Sequence, residues 1–300
     1  MKLIFWGYND LGEHVLKYFI NNGYDIPMII SPSSDKVKNS RLKTLLNGGT
    51  RVISIRDTDH EVLEKEILAI SPDIMIACSF RYKIPPNLIK IGGVNIINIH
   101  GAKLPHYRGG NMINWAIIKG LEETAITLIN MEETIDTGDI LAEKKIPIYY
   151  KDTAVTLKER MYTAIYELFD ECLKDIIDKK IVPREQDHTK AYYLPARKPG
   201  DGLINWESNA IDIYNLVRAL VCPYPGAFTY YRDKKVIIEK ASLIIDNRYY
   251  MHPGRIIDLG HNYIIATTQY NLLKIEELRG HNINDLGIHI GGRLSSKRGD

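Results

Sequence analysis

The sequence predicts an α/β chain in which a doubly wound sheet is followed by a small β-barrel, and three observations carry that expectation. Strand-like and helix-like segments alternate through the first two-thirds of the chain. The run Leu194-Pro195-Ala196-Arg197-Lys198-Pro199-Gly200-Asp201-Gly202 is dense in proline and glycine, as linkers are. Short apolar runs then follow one another at close spacing, the pattern of a small barrel. The expected division is 1–194 for the first domain, 195–209 for the linker and 210–300 for the second domain.

Lys2 to Trp6 reads as the first strand. Leu11, Val15, Leu16, Phe19 and Ile20 then form a helical stripe that Gly23 stops. Pro27 to Ser31 is a second strand. Thr58 and Glu61 have capping-box spacing for a helix carrying Val62, Leu63, Ile67 and Leu68. Asp73 to Cys78 and Val94 to His100 are further strands. Asn111 to Lys119 reads as a helix ended by Gly120, Ala125 to Asn130 as a strand, and about Thr153 to Lys179 as a long helix burying Leu157, Ile165, Leu168, Phe169, Leu173 and Ile176. After the linker come one helix, roughly Ala210 to Leu220, and five apolar runs. These are Ala227-Tyr231, Val236-Glu239, Arg255-Leu259, Tyr263-Thr267 and Leu272-Glu276.

Composition narrows the class. A hydrophobic content of 45% over 300 residues fills a sizeable core and suits one large domain with one small one. Net charge is +2, from 39 basic and 37 acidic residues, too small to build a strong field for nucleic acid. The three cysteines, Cys78, Cys172 and Cys222, lie far apart, without disulfide or zinc spacing, which fits a reducing cytoplasm. No cleavable signal pattern and no membrane-length apolar stretch is visible.

The chemistry concentrates near residue 100, in Asn98-Ile99-His100-Gly101-Ala102-Lys103-Leu104-Pro105-His106-Tyr107-Arg108-Gly109-Gly110, with Ile135-Asp136-Thr137-Gly138 downstream. Alternation along a strand puts Asn98 and His100 on one face, with Ile97 and Ile99 on the other. In open parallel sheets, ligands bind outside the carboxyl ends of the strands, where this strand ends at Gly101. An amide, an imidazole and a carboxylate together suit acyl transfer to an amine. Taken singly, Asn98 and His100 read as groups that satisfy a strand end, and Asp136 as a turn residue. His100 and His106 make a poor metal pair, because Pro105 interrupts the loop between them and no third ligand is evident. Gly7-Tyr8-Asn9-Asp10-Leu11-Gly12 is either a tight strand-to-helix turn or a phosphate-binding loop near substrate. It does not match the dinucleotide fingerprint.

These motifs resemble the formyltransferases that use 10-formyltetrahydrofolate, a family that includes glycinamide ribonucleotide, methionyl-tRNA and nucleotide-sugar enzymes. The family triad falls on Asn98, His100 and Asp136. Ser71-Pro72-Asp73 with Ser79-Phe80-Arg81-Tyr82 resembles the folate-pocket segment. Val217-Arg218-Ala219 with Pro223-Tyr224-Pro225-Gly226-Ala227-Phe228 resembles the second domain of methionyl-tRNA and amino-arabinose formyltransferases. The resemblance implies a Rossmann-like catalytic domain followed by an OB-like barrel. It also implies 10-formyltetrahydrofolate as co-substrate without a metal, and a cytoplasmic homodimer serving lipopolysaccharide or O-antigen biosynthesis. Phe80, Arg81, Tyr82, Lys83, Ile84, Ile135, Thr137 and Gly138 are implied as folate walls, largely through backbone.

The reaction assigns the expected roles. His100 is expected to take the proton of the amine, since an ordinary imidazole titrates near neutrality. Asn98 donates to the oxygen that becomes negative, and Asp136 orients and stabilises the imidazolium. The acceptor reading is an amino-deoxysugar on UDP or dTDP, because Tyr107 through Trp115 resembles nucleotide-sugar enzymes, where an Asn-Trp pair stands at the position of Asn114-Trp115. A long basic insertion after the second strand, a feature of the tRNA enzymes, is missing from the short segment Ser31 to Ser40. Tyr8, Asn9, Lys103, Tyr107, Arg108 and Asn111 are the expected substrate contacts, with Lys103 and Arg108 on the pyrophosphate or, alternatively, on a solvated loop. Trp115 reads as helix core rather than a sugar platform. Methionyl-tRNA formylation and hydrolysis of formyltetrahydrofolate are the alternative activities, and a nonenzymatic folate-binding protein is a further reading.

Overall fold

The computed structural model describes residues 1–33 and 48–298. Most of the short segment Ser31 to Ser40, read above as lacking a basic insertion, lies outside the described residues. The chain forms two compact units. One comprises Met1–Gly109, Thr124–Ile146 and Glu159–Leu194, the other Gly110–Glu123, Pro147–Lys158 and Pro195–Asp300.

The first unit is built on a large mixed sheet. Its strands are β1 (Lys2–Gly7), β2 (Asp25–Ser31), β3 (Arg51–Ser54), β4 (Ile74–Cys78), β5 (Lys90–Ile91), β6 (Val94–His100), β8 (Glu123–Asn130) and β9 (Ile140–Pro147), with β7 (Tyr107–Gly109) and β10 (Tyr192–Leu194) forming a separate parallel pair. The order is β3-β2-β1-β4-β6-β8-β9, with β5 on β6. Strands β1 to β4 and β6 are parallel where they pair, while β8 runs antiparallel to β6. The chain moves outward from β1 through β2 to β3 and then returns to the other side of β1. The crevice at the carboxyl ends of β1 and β4 is therefore the switch point where ligands bind in such sheets.

Local chemistry explains these elements. The β1, β2 and β4 segments are near-continuous apolar runs, buried on both faces, as parallel strands are. Helix Asp10–Asn21 buries Val15, Leu16, Tyr18 and Phe19. Helix His60–Ile70 is capped by Asp59, whose carboxylate accepts from the Glu61 and Val62 amides at 2.8 and 3.1 Å. That corrects the Thr58–Glu61 capping box: an aspartate one residue later offers an acceptor to both free amides at once. Helix Ala154–Ile177 buries Leu157, Ile165, Leu168, Phe169 and Leu173. Strand β3 is only four residues long, and β9 carries Glu143, Lys144 and Lys145 at its centre, so neither stands out as an apolar run.

In the second unit, helices Met112–Ile118 and Ala210–Ala219 pack together, and the buried Asn114 donates to the Ala219 carbonyl at 2.6 Å. Six antiparallel strands follow: β11 (Ala227–Tyr231), β12 (Lys234–Tyr249), β13 (Ile256–Gly260), β14 (Tyr263–Thr267), β15 (Tyr270–Leu278) and β16 (Leu294–Ser295). Their order is β13-β14-β15-β12-β11-β16. The sheet curls until its edges meet, with Ile256 N–H donating to Gly292 O at 2.9 Å and Leu294 N–H to Gly254 O at 2.8 Å. Closure leaves little free strand edge. Strand β12 extends well past the expected Val236-Glu239, and register shifts after Ile238, Lys240 and Ile244 interrupt the alternation by which its length could be read from the sequence.

Trp115 differs from its expected place in the core. It is only half-buried, with the Arg197 guanidinium 4.8 Å from its ring centre and its indole N–H donating to Pro195 O at 2.9 Å. Met112, Asn114, Ala116 and Ile117 are the buried members of that helix.

Candidate active site

Strand β6 sets the site. Its register places Ala77 beside Asn98 and Cys78 beside Ile99, so Asn98 and His100 stand at the carboxyl edge of the sheet. His100 is buried, with 5% of its surface exposed. The loop after β8 brings Asp136 to the same place. The structure thus gathers Asn98, His100 and Asp136, which are 38 residues apart at the widest.

The carboxylate is the hub. Asp136 Oδ2 accepts the Gly109 amide at 2.9 Å. Oδ1 lies 3.4 Å from His100 Nδ1 and 3.4 Å from Asn98 Nδ2. The first contact is a firm hydrogen bond. The other two are longer than the ordinary 2.9–3.0 Å, and such contacts tighten when substrate fills a site. Asp136 has φ +57°, in the left-handed region. Gly138 beside it has no room for a Cβ, which would strike the Asn130 carbonyl.

A second backbone group fixes the imidazole. His100 Nε2 is 2.7 Å from the Tyr107 carbonyl oxygen. A carbonyl oxygen accepts only, so Nε2 carries the hydrogen. In the neutral ring the lone pair is then on Nδ1, the nitrogen that faces Asp136. Proton uptake at Nδ1 turns that contact into a charge-assisted hydrogen bond.

The residues expected at the folate walls divide by burial. Phe80 and Tyr82 are half-buried against the core beside Trp6 and Ile84, and the Arg56 guanidinium lies 5.3 Å from the Tyr82 ring. Ile84 is a core residue, 5% exposed, so its side chain is spent on packing. Arg81 and Lys83 are exposed. Ile135 is 67% exposed directly before the carboxylate, an uncovered apolar side chain where a ligand is expected. The Thr137 hydroxyl donates to Thr134 O at 3.0 Å.

Several expected substrate contacts have other occupations. Arg108, read as a pyrophosphate ligand or a solvated loop residue, is 1% exposed. Its guanidinium donates to Gln186 Oε1 at 2.7 Å, His188 Nδ1 at 2.9 Å and Tyr193 OH at 3.0 Å. The pairing of β7 with β10 covers it, so neither reading holds. Tyr107 contributes its carbonyl to His100. Asn9 caps its helix, accepting from Gly12 N–H at 3.1 Å, which is the tight-turn reading of that loop. Asn111, in the second unit, accepts the Arg197 amide at 3.0 Å. Lys103 and Tyr8 are half-buried. Gln186 and His188 were not anticipated, because the segment around them has no periodicity and no motif. Among the described residues no group of three His, Cys, Asp or Glu side chains is placed to hold a metal, and no helix is long and apolar enough to cross a membrane.

Comparison with known proteins agrees with the fold and the motifs. The sequence matches the formyl transferase family over residues 20–173 and the formyl transferase C-terminal domain over 197–288. WlaRD, a sugar 3N-formyl transferase solved with dTDP and 5-N-formyl-THF, superposes with a TM-score of 0.69 at 21% identity, covering 94% of this chain and 98% of its own. The N-formyltransferase from Helicobacter canadensis, solved with folinic acid and dTDP-3-aminofucose, gives 0.70 at 21% identity, covering 93% and 99%. Methionyl-tRNA formyltransferase from Clostridium thermocellum gives 0.57 at 20% identity, covering 92% and 100%. With the family matched over more than half its length, in both its domains, this chain belongs to the formyl transferases.

Proposed function

We propose that this enzyme transfers a formyl group from 10-formyltetrahydrofolate to the amine of an amino-deoxysugar carried on UDP or dTDP. The observation that carries the reading is the meeting of Asn98, His100 and Asp136 at the carboxyl edge of β6. The two N-formyltransferases above, each solved with a formylated folate and a dTDP ligand, support it.

The folate supplies an activated formyl carbon. The remaining work falls to the protein's own groups. Asn98 Nδ2 is placed to donate to the formyl oxygen as it gains charge. His100 Nδ1 takes a proton from the attacking amine as the new C–N bond forms. The same proton passes to the departing folate nitrogen as the old C–N bond breaks, which returns the ring to its starting state. Asp136 favours the protonated ring over the neutral one, so its contribution is greatest while the proton is held. We place the catalytic centre and the folate walls Phe80, Tyr82, Ile135 and Thr137 in the first unit. The second unit is assigned an accessory or dimer-forming role.

Lys103, half-buried three residues after His100, is assigned to the pyrophosphate. Lys103→Met is expected to raise KM for the sugar nucleotide more than it lowers kcat, because a distant phosphate is held about equally in ground and transition states. Inhibition by UDP, dTDP and initiator tRNA, each at two salt concentrations, tests the acceptor class. Inhibition by one of the nucleotides with modest salt dependence is expected. Inhibition by tRNA alone, falling steeply with salt, would overturn the sugar reading and leave formyl transfer in place.

A further inference from the structure

We infer that Gln186 and Arg108 are positioning residues of the transfer reaction, forming a buried strut that holds Asp136 in reach of His100. The inference rests on the proposed role of Asp136.

Gln186 is 3% exposed, and its amide is fully used. Its Nε2 donates to the Asp136 carbonyl at 3.0 Å and to the Gly138 carbonyl at 2.6 Å. Its Oε1 accepts from Arg108 at 2.7 Å. The orientation of the amide is set by its partners, since the guanidinium only donates and the two carbonyls only accept. One side chain thus ties down the main chain on either side of Thr137, in a loop whose Asp136 is already in the left-handed region. Such a conformation persists only where the surroundings over-determine it.

Arg108 fixes the other end. It stands between the two backbone groups that hold the reacting pair. Tyr107 O takes the His100 Nε2 hydrogen at 2.7 Å, and Gly109 N–H holds Asp136 Oδ2 at 2.9 Å. Displacing strand β7 would therefore move both partners at once. Arg108 holds the strand by reaching Gln186, His188 and Tyr193 from a fully enclosed site. All three acceptors are uncharged as they accept, which is a costly setting for a guanidinium. Stability alone would be served as well by apolar packing. The network instead connects the imidazole, the carboxylate and the loop through one amide.

The test is a double-mutant cycle on formyl transfer to dTDP-3-aminofucose, with the His100 imidazole nitrogen shifts recorded by NMR in the full-length protein. Gln186→Met removes both arms of the strut. Gln186→Glu keeps an acceptor for Arg108 but offers no donor to the two carbonyls when ionised, which separates loop positioning from the anchoring of Arg108. Both variants are expected to lower kcat about ten- to a hundredfold, as small misplacements at a reacting centre do, with little change in KM for either substrate. In an Asp136→Asn background the same substitutions should cost less than about twofold, because residues acting through one another are not additive. The His100 nitrogen shifts should move toward those of Asp136→Asn. Full additivity with an impaired Asp136→Asn enzyme, or unchanged His100 shifts in both Gln186 variants, would overturn the strut alone. Wild-type turnover by Asp136→Asn would instead overturn the role of Asp136 itself, and the strut with it.

Discussion

Asp136→Asn is expected to lower kcat by about 10³–10⁴-fold, in line with other triads whose carboxylate becomes an amide. Asparagine tolerates the left-handed backbone that Asp136 adopts, so the loop keeps its shape. Gly109 N–H still needs an acceptor, and the amide oxygen takes that place. The amide nitrogen is then turned toward His100 Nδ1, which lies 3.4 Å from the original oxygen. Its hydrogen occupies the lone pair that must accept the proton, and it opposes the imidazolium once formed. The substitution therefore removes support for the charged ring and blocks the neutral one. Steady-state turnover checks the effect, with folinic acid binding and thermal unfolding confirming an intact site. Turnover within about tenfold of wild type would remove Asp136 from the proton transfer.

His100→Asn is expected to lower kcat by about 10²–10⁴-fold, the usual worth of a positioned acid–base group. The shorter side chain does not reproduce both ring nitrogens, so the Tyr107 carbonyl loses its donor in a buried setting. An unsatisfied buried group costs about 1–3 kcal/mol, so the variant should unfold at a somewhat lower temperature while remaining folded under assay conditions. Folate binding should persist, because the walls assigned to it lie on other segments. Single-turnover kinetics with saturating substrates check this result. Near-normal turnover would remove His100 from the mechanism.

Much of this arrangement can be read from the sequence where one strand carries the information. The bounds of β6 follow from an apolar, β-branched run ended by Gly101, and the common face of Asn98 and His100 from alternation along it. The barrel strands Ala227–Tyr231 and Tyr263–Thr267 also follow from short apolar runs. Side chains whose partners lie far along the chain are different. Arg108 stands in a glycine-rich loop sequence that looks solvated, yet it is buried by Gln186, His188 and Tyr193, 78 to 85 residues away. Nothing in the local spacing of either segment marks that meeting. Asn114 likewise reads as half of a substrate motif but is held by the carbonyl of Ala219, 105 residues on. Asn9 and Asp59 show the converse case, in which a small polar residue before a helix is decided by the nearest free amides.

The most direct test of formyl transfer to a nucleotide-linked amino sugar is mass spectrometry of the product. The purified enzyme would be incubated with 10-formyltetrahydrofolate and a panel of UDP- and dTDP-linked amino-deoxysugars. Gain of one formyl group by a panel member, with tetrahydrofolate released in equal amount and loss of the product in His100→Asn, is the expected result. Release of formate at the same rate with and without any amine would contradict it and identify a formyltetrahydrofolate hydrolase.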